Sequence, residues 1–342
     1  MPSYTILHGA KKNCGDFLIR DAAATLLEET TDVSEDEILY VDLVRSELSE
    51  EILDQIRSTD VAFLAGGPGY RQRFYPETYP SMRELLDATT VVPLGPGWKG
   101  TDEETYTFSD EALSILKRIT NQPDVPYLGA RDLPSVRVLQ NHGLPAKLTG
   151  CPGWYFHGNF PPKPSFDSGS DVESIYISTP PKDDIRLLVQ YLMVLRLLSE
   201  EFPDARRVCV FHRGQNNRPF EPIVGYPWEL TTLKSNAGSL LYGIINRYAQ
   251  KNGYEIYDAS GSSDYIKHYY EADMHVGYRV HAHIPALSAG TPSFLLQIDG
   301  RGTGVSESLG TEADIWANDG ILPPVRRLKE SITSTISNDF AA

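Results

Sequence analysis

The chain has 342 residues, long enough for about two domains of ordinary size, each burying its own core. Its 31 basic and 46 acidic residues leave a net charge of −15, which argues against nucleic acid or an anionic membrane as a partner; an anion that binds must meet a local cluster of cations. The three cysteines, Cys14, Cys151 and Cys209, are odd in number and widely spaced, which fits neither a disulfide framework nor a C-x-x-C metal site and points to a reducing cytoplasm.

The opening residues MPSYTILHGAKKN lack the pattern of a secretory signal, so a cytoplasmic location is expected. Strand-type runs then alternate with helical segments: YTIL with DFLIRDAAATLLEE, VAFLAGG with SMRELLD, VVPLG with DEALSILKRI, and YLGARD with SVRVLQNHG. That alternation predicts a parallel sheet with helices on both faces. The proline, glycine and serine of NFPPKPSFDSGSDV interrupt it, and the alternation resumes at ESIYIS. The expected organisation is an N-terminal Rossmann-like domain over 1–160, a linker over 161–170, a C-terminal Rossmann-like domain over 171–328 and a tail over 329–342. The most apolar run, LLVQYLMVLRLL, is twelve residues long and holds Gln190 and Arg196. It falls short of the ~20 residues that span a bilayer, so a buried helix is expected and no membrane span. Two doubly wound α/β domains facing a cleft are the architecture of many glycosyl-transferring enzymes, and ligands of such sheets bind beyond the carboxyl ends of the strands.

The chemistry-bearing residues follow strands. Asp16, in NCGDFLI, is placed to cap the first helix or to hold or deprotonate a hydroxyl, with Asn13 just before it. The glycines of LAGGPGYRQR and PLGPGWKG read as tight bends rather than as phosphate cradles. Arg131 beside Asp132 reads either as an ion pair or as an arginine oriented toward a ligand, and His212 and Arg213 stand just past another strand. In GYRVHAHIPALSAGTP, Pro285 belongs in the first turn of a helix that Gly290 ends, which sets Arg279 and His281 at an N-terminus suited to anions. His281 and His283 would lie about 200° apart around that helix, without metal-ligand spacing, so no metal site is expected and His283 reads as a semi-buried structural histidine. Arg301 lies in the glycine loop DGRGTG, able to grip a carboxylate or phosphate, and Glu307 follows as a partner for a sugar hydroxyl or a solvated acid.

Taken in order, N-x-G-D near the start, ARDLPSVRVLQNHG…TGCP in mid-chain, and G-x-R-x-H-x-x-I-x-A-L-x-x-G-T-P leading to IDGRGTG resemble the polysaccharide pyruvyl transferase family over about residues 9 to 310. The resemblance implies a fold like that of the B-type glycosyltransferases. It also implies transfer of the pyruvyl unit of phosphoenolpyruvate onto sugar hydroxyls, giving a pyruvate ketal on a cell-surface polysaccharide or its precursor. Phosphoenolpyruvate is then the donor, with no separate cofactor, and the acceptor is a sugar or glycan, nucleotide- or lipid-linked. The family's arginine before an aspartate matches Arg131, and its R-x-H pair matches Arg279 and His281. Arg301 stands where the family often has a lysine. His281 is the expected acid/base, with Asp16 to take a hydroxyl proton; Arg131, Arg279 and Arg301 would hold the donor, and Asn13, His212, Arg213 and Glu307 would contact substrate. Two other classes remain open, a nucleotide-sugar-dependent glycosyltransferase and a noncatalytic glycan-binding relative.

Overall fold

In the computed structural model, described over residues 3–156, 172–181, 184–214, 240, 242–311 and 315–337, the chain divides into two compact units. The first comprises residues 1–11, 16–158 and 299–312; the second comprises 12–15, 159–298 and 313–342.

The first unit is built on a four-stranded parallel sheet. Its strands are β1 (Tyr4–His8), β2 (Ile38–Asp42), β3 (Val61–Ala65) and β4 (Thr90–Leu94), in the order β2-β1-β3-β4. Strand β2 is absent from the expected series, because only Ile38 and Val41 of its five residues are buried and it lies between acidic residues. A further parallel pair, β5 (Leu128–Ala130) with β6 (Ala146–Leu148), follows β4. Helices α1 (Cys14–Thr30), α2 (Glu50–Arg57), α3 (Met82–Ala88), α4 (Asp110–Thr120) and α5 (Leu133–Asn141) supply the crossovers. In α4, Ser109 caps the N-terminus and Ala112, Ile115, Leu116 and Ile119 recur at helical spacing on the buried face. They join Leu7, Leu64, Tyr70, Phe74 and Trp98 in one core.

The second unit carries a six-stranded parallel sheet ordered β12-β11-β10-β7-β8-β9. These strands are β7 (Ser174–Ser178), β8 (Arg206–Phe211), β9 (Glu255–Asp258), β10 (Met274–Gly277), β11 (Ser293–Gln297) and β12 (Ile315–Trp316). Helices α6 (Ile185–Glu201), α7 (242–251), α8 (Lys267–Glu271) and α9 (Val280–Ser288) connect them, and α10 (Gly300–Leu309) and α11 (Leu322–Ser337) complete the chain. The apolar run 187–198 lies in α6 with most of its side chains buried and Arg196 exposed, and Gln190 donates to the carbonyls of Ala317 and Gly320. Among the described residues, no helix is long and apolar enough to cross a membrane.

Several boundaries differ from those expected. The linker 161–170 lies outside the described residues. Residues 299–312 group with the first unit: α10 packs on α5, Gly304 without a side chain sits against Asp132, and the Leu133 amide donates to Ser308 Oγ at 2.9 Å. The tail expected from 329 is helical to Ser337, with Leu328 and Ile332 buried in the second core and α11 packed on α6. Pro285 is the sixth residue of α9, counted from Val280. It is therefore inside the helix and not in its first turn as expected: the amides of Ala282 and His283 already bond the Arg279 carbonyl, and the helix is kinked at His281, whose angles are non-helical (φ −83°, ψ 16°). Gly290 adopts φ 76°, and the Thr291 amide closes back on the Ala286 carbonyl, the expected end of that helix.

Candidate active site

The candidate residues fall into two sets, one in each unit. In the first unit, Arg131 ends β5 and Asp132 caps α5, accepting from the Ser135 amide at 2.8 Å and the Ser135 hydroxyl at 2.5 Å. The other carboxylate oxygen accepts from Arg131 Nε at 3.1 Å, and both side chains are fully shielded from solvent. The ion pair and the oriented arginine are thus the same structure. The two terminal nitrogens of the guanidinium, Nη1 and Nη2, are buried without a hydrogen-bond partner. A buried cation with open donors is costly unless something fills the place. Gly97 lets the guanidinium lie against the backbone: a Cβ there would lie 2.6 Å from Arg131 Cζ and overlap Nη2. The adjacent Trp98 anchors its amide on Ser135 Oγ at 2.9 Å, and its indole Nε1 is a third buried donor without a partner.

Gly97 and Trp98 were missed as site residues, because PLGPGWKG reads equally well as a bend. Gly95, at φ 63°, is the bend; Gly97 is the close approach. Their signal was the pair of glycines flanking the strand end on either side of a proline.

Arg301 is not open. Its Nε bonds Asp299 Oδ1 at 2.8 Å and its Nη2 bonds Oδ2 at 2.7 Å, while its amide is capped by the same carboxylate. Burial works against the charge on Asp299, yet the hydrogen bonds and charge of Arg301, with the charge of Arg131, hold its carboxyl below the usual range. Glu307 does not stand free for a sugar either. It forms a two-point pair with Arg137 at 2.6 and 2.8 Å, and Arg137 also grips Glu103. Asp16 is the third residue of α1 and does not occupy its cap position, which falls to Asn13, half-buried just before the helix. From that first turn the Asp16 carboxylate acts on the charge of Arg301 and on Tyr79.

In the second unit, Arg279 caps α9 by position, but its side chain is turned to the end of β7. It donates through Nε to the Thr179 carbonyl at 2.7 Å and through Nη2 to the Pro180 carbonyl at 3.1 Å. His281 is largely buried, and its backbone lies in the sparsely populated region between helix and strand, where active-site residues are often held. Gly15 lies against it: a Cβ on Gly15 would fall 2.7 Å from both the Cβ and the Nδ1 of His281, so only glycine leaves the ring its place. The neighbouring Cys14 amide donates to the His212 carbonyl at 3.0 Å.

His212 lies inside the unit, with Nε2 at 2.7 Å from the Tyr269 hydroxyl. Burial, reinforced by the charge of Arg279, lowers its pKa well below the ordinary value, so it is neutral and packs beside Tyr269, away from the surface. Arg213 beside it is exposed. His283 is buried as expected, with Nδ1 2.7 Å from Ser293 Oγ, and His275 Nδ1 approaches the same oxygen at 2.7 Å. Ser178 Oγ accepts from the amides of Tyr278 and Arg279, each at 3.2 Å, which leaves its proton for His275 Nε2 at 3.0 Å. His275 then donates from Nδ1 to Ser293, whose oxygen also bonds His283 Nδ1, and His283 Nε2 is buried without a partner. Among the described residues, no three His, Cys, Asp or Glu side chains are grouped as a metal site.

A family model described as polysaccharide pyruvyl transferase matches residues 13–300. No curated protein matches in sequence. Solved structures share the two-domain Rossmann-like architecture of the B-type glycosyltransferase fold. The UDP co-structure of S. aureus MnaA is 12% identical over 97% of this chain and 88% of that one, with a TM-score of 0.57. The UDP-GlcNAc 2-epimerase of Methanocaldococcus jannaschii is 11% identical over 99% and 94%, with a TM-score of 0.54. That of Neisseria meningitidis, bound to UDP-GlcNAc, is 12% identical over 98% and 91%, with a TM-score of 0.50. At these identities the likeness is one of fold.

Proposed function

The chain belongs to the polysaccharide pyruvyl transferase family, and we propose on that premise that it moves the pyruvyl unit of phosphoenolpyruvate onto two hydroxyls of a sugar, forming a pyruvate ketal on a polysaccharide or its precursor. The observation that carries the donor assignment is the Arg131 guanidinium, buried and fixed by Asp132 yet with both terminal nitrogens unpartnered beside Gly97. Two parallel N–H donors match the oxygens of a carboxylate or phosphate, and in a protein of net charge −15 such a place must be built locally.

The reaction requires a proton on the methylene carbon of the donor, addition of one hydroxyl oxygen at the central carbon, rupture of the bond from that carbon to the phosphate oxygen, and addition of the second hydroxyl oxygen. Of the two hydroxyl protons lost, one balances the new methyl group and the other leaves with hydrogen phosphate. His281 is assigned the protonation of the methylene carbon, because an imidazole ordinarily titrates near working pH and its ring is held in one position against Gly15. Asp16 is assigned to receive a hydroxyl proton, and Arg279 to fix the start of α9 through its two carbonyl contacts while the N-terminal dipole favours the donor's negative charge. Arg301, engaged with Asp299, adds a guanidinium whose field Asp299 largely offsets.

The test is incubation of the purified protein with phosphoenolpyruvate and a panel of nucleotide- and lipid-linked sugars, reading phosphate release and product mass. The expected product is heavier than the acceptor by one pyruvate less one water. Glycosyl transfer from a nucleotide sugar, without phosphate release from phosphoenolpyruvate on any acceptor, would overturn the reading.

A further inference from the structure

A cavity of about 510 Å3 opens within the first unit, lined among others by Arg45, Arg71, Arg73, Lys99 and Tyr106. Arg131 and Gly97 are not among its walls. Four cations meet two carboxylates there, Glu77 and Asp102, in a chain whose overall balance is strongly acidic. Neither carboxylate serves Arg45 or Arg71. Glu77 is paired with Arg73, and Asp102 accepts from the Glu104 amide at 3.0 Å and the Thr105 hydroxyl at 2.7 Å.

Arg71 is half-buried and donates Nε to the Pro68 carbonyl at 3.0 Å; among the described residues it forms no ion pair. Burial, then the charge of Arg45, works against its positive charge, which is the condition an incoming anion relieves. The Arg45 side chain has neither an ion pair nor a hydrogen bond among the described residues. Its backbone is also the one non-glycine position there with a left-handed conformation, φ 58°, held by its amide on the Thr78 carbonyl at 2.9 Å. A left-handed arginine costs free energy and persists only where the surrounding structure imposes it. Here it presents a guanidinium to a second guanidinium across a cavity whose walls also carry the hydroxyl-bearing Thr101.

We propose that this cavity is a second anion site, separate from the Arg131 cradle, and that it takes a diphosphate group. Two guanidinia without ion-pair partners facing one cavity suit two adjoining phosphoryl groups, and the volume lies within the range of ligand pockets, with room for a group attached to the diphosphate. In the pyruvyl-transfer reading, on which only this clause rests, the diphosphate joins the acceptor sugar to its carrier. The same chemistry is offered by a nucleoside diphosphate and by a lipid diphosphate, so the attached group is what the test must resolve.

The test is calorimetric titration of the full-length protein with inorganic pyrophosphate, UDP, farnesyl diphosphate and inorganic phosphate. Pyrophosphate is expected to bind at least tenfold more tightly than phosphate. Tighter binding of UDP or of farnesyl diphosphate than of pyrophosphate identifies a nucleotide or a lipid carrier. Arg45→Glu, at an exposed position, is expected to weaken every diphosphate tenfold or more while phosphoenolpyruvate affinity stays within twofold, and Arg71→Ala to act in the same direction. Absence of pyrophosphate binding to the folded wild type, equal binding of phosphate, or loss of phosphoenolpyruvate binding in a folded Arg45→Glu protein would each overturn the site. Failure of phosphoenolpyruvate to bind the wild type, with pyrophosphate binding intact and sensitive to Arg45→Glu, sinks the functional reading and leaves this site standing.

Discussion

Arg131 Nε stands 3.1 Å from Asp132 Oδ2 with both side chains sealed from solvent, and the carboxylate is simultaneously the cap of α5. A pair built only for stability would satisfy the guanidinium on both edges, whereas here the outer edge is left open. Arg131→Met is therefore expected to weaken phosphoenolpyruvate binding at least tenfold, since a charge-assisted hydrogen bond is worth ~1.5–3 kcal/mol. The variant is also expected to lose stability, because Asp132 becomes a buried carboxylate without its counter-ion, held only by its two Ser135 bonds, so donor affinity is read on the folded protein. Asp132→Ala is expected to cost about 3–5 kcal/mol, leaving a buried cation unpaired and a helix uncapped. Urea midpoints and donor titrations on the two variants check this; equal donor affinity in Arg131→Met and wild type would remove the arginine from the site.

That pair was legible in the sequence as two alternatives, and only the fold could unite them, because spacing does not report whether a guanidinium's second edge is filled. The alternation of apolar runs and helices was legible because each buried strand is short and apolar, as in β3, β7 and β11. β2 was not, its inward residues being diluted by acids. Glu307 and Arg301 stood at the right strand end; Asp299, two residues from Arg301, was legible as the acid that could tie it, whereas Arg137 reaches Glu307 only through the packing of α10 on α5. Gly97 and Gly15 acquire meaning only from what a Cβ would strike.

Asp299 neutralises Arg301 with three side-chain hydrogen bonds and also caps α10 through the Arg301 amide. Asp299→Asn keeps an acceptor for the cap and removes the charge. If Arg301 contributes to donor binding, the substitution should tighten phosphoenolpyruvate binding several-fold, and Arg301→Ala should abolish that gain. A shift in melting temperature with unchanged donor affinity in both variants would make Arg301 a tie of its glycine loop alone.

Glu307→Gln is expected to leave KM for the acceptor unchanged and to cost less than about 1 kcal/mol of stability, because its pair with Arg137 is exposed and Arg137 retains Glu103. A several-fold rise in acceptor KM without a change in kcat would return Glu307 to the substrate.

His281 and His283 are two residues apart but differ in surroundings: one packs its ring against Gly15, the other is hydrogen-bonded to Ser293. His281→Ala is expected to lower kcat by ~10²–10⁴ with donor affinity nearly intact. His283→Ala should retain most of the turnover of the folded fraction and instead lose about 1–3 kcal/mol of stability, as Ser293 is left short of a partner. Initial rates corrected for folded fraction separate the two; full turnover in His281→Ala would remove it from catalysis.

The buried histidines set the pH dependence of folding. His212 and His275 have pKa values lowered well below the ordinary 6.5, and His283 is lowered to about 3, in each case first through burial. A lowered value means that the unfolded chain takes up a proton that the folded chain refuses. The stability from these groups is therefore fully present above pH 6.5 and is lost progressively as pH falls from there, for His283 down to about 3. Each such histidine contributes a slope of up to about 1.4 kcal/mol per pH unit within its window. Asp299, held below its ordinary 3.8, affects stability only at lower pH, so the interval from pH 6.5 to 5 isolates the histidines. The urea midpoint should stay level from pH 8 to 7 and fall steadily from 6.5 to 5, and His283→Gln should make that fall shallower by removing one titrating group. A midpoint that is flat or rising across pH 6.5 to 5 would mean that these rings accept protons in the folded state, which would also undo the donation from Ser178 to His275 Nε2.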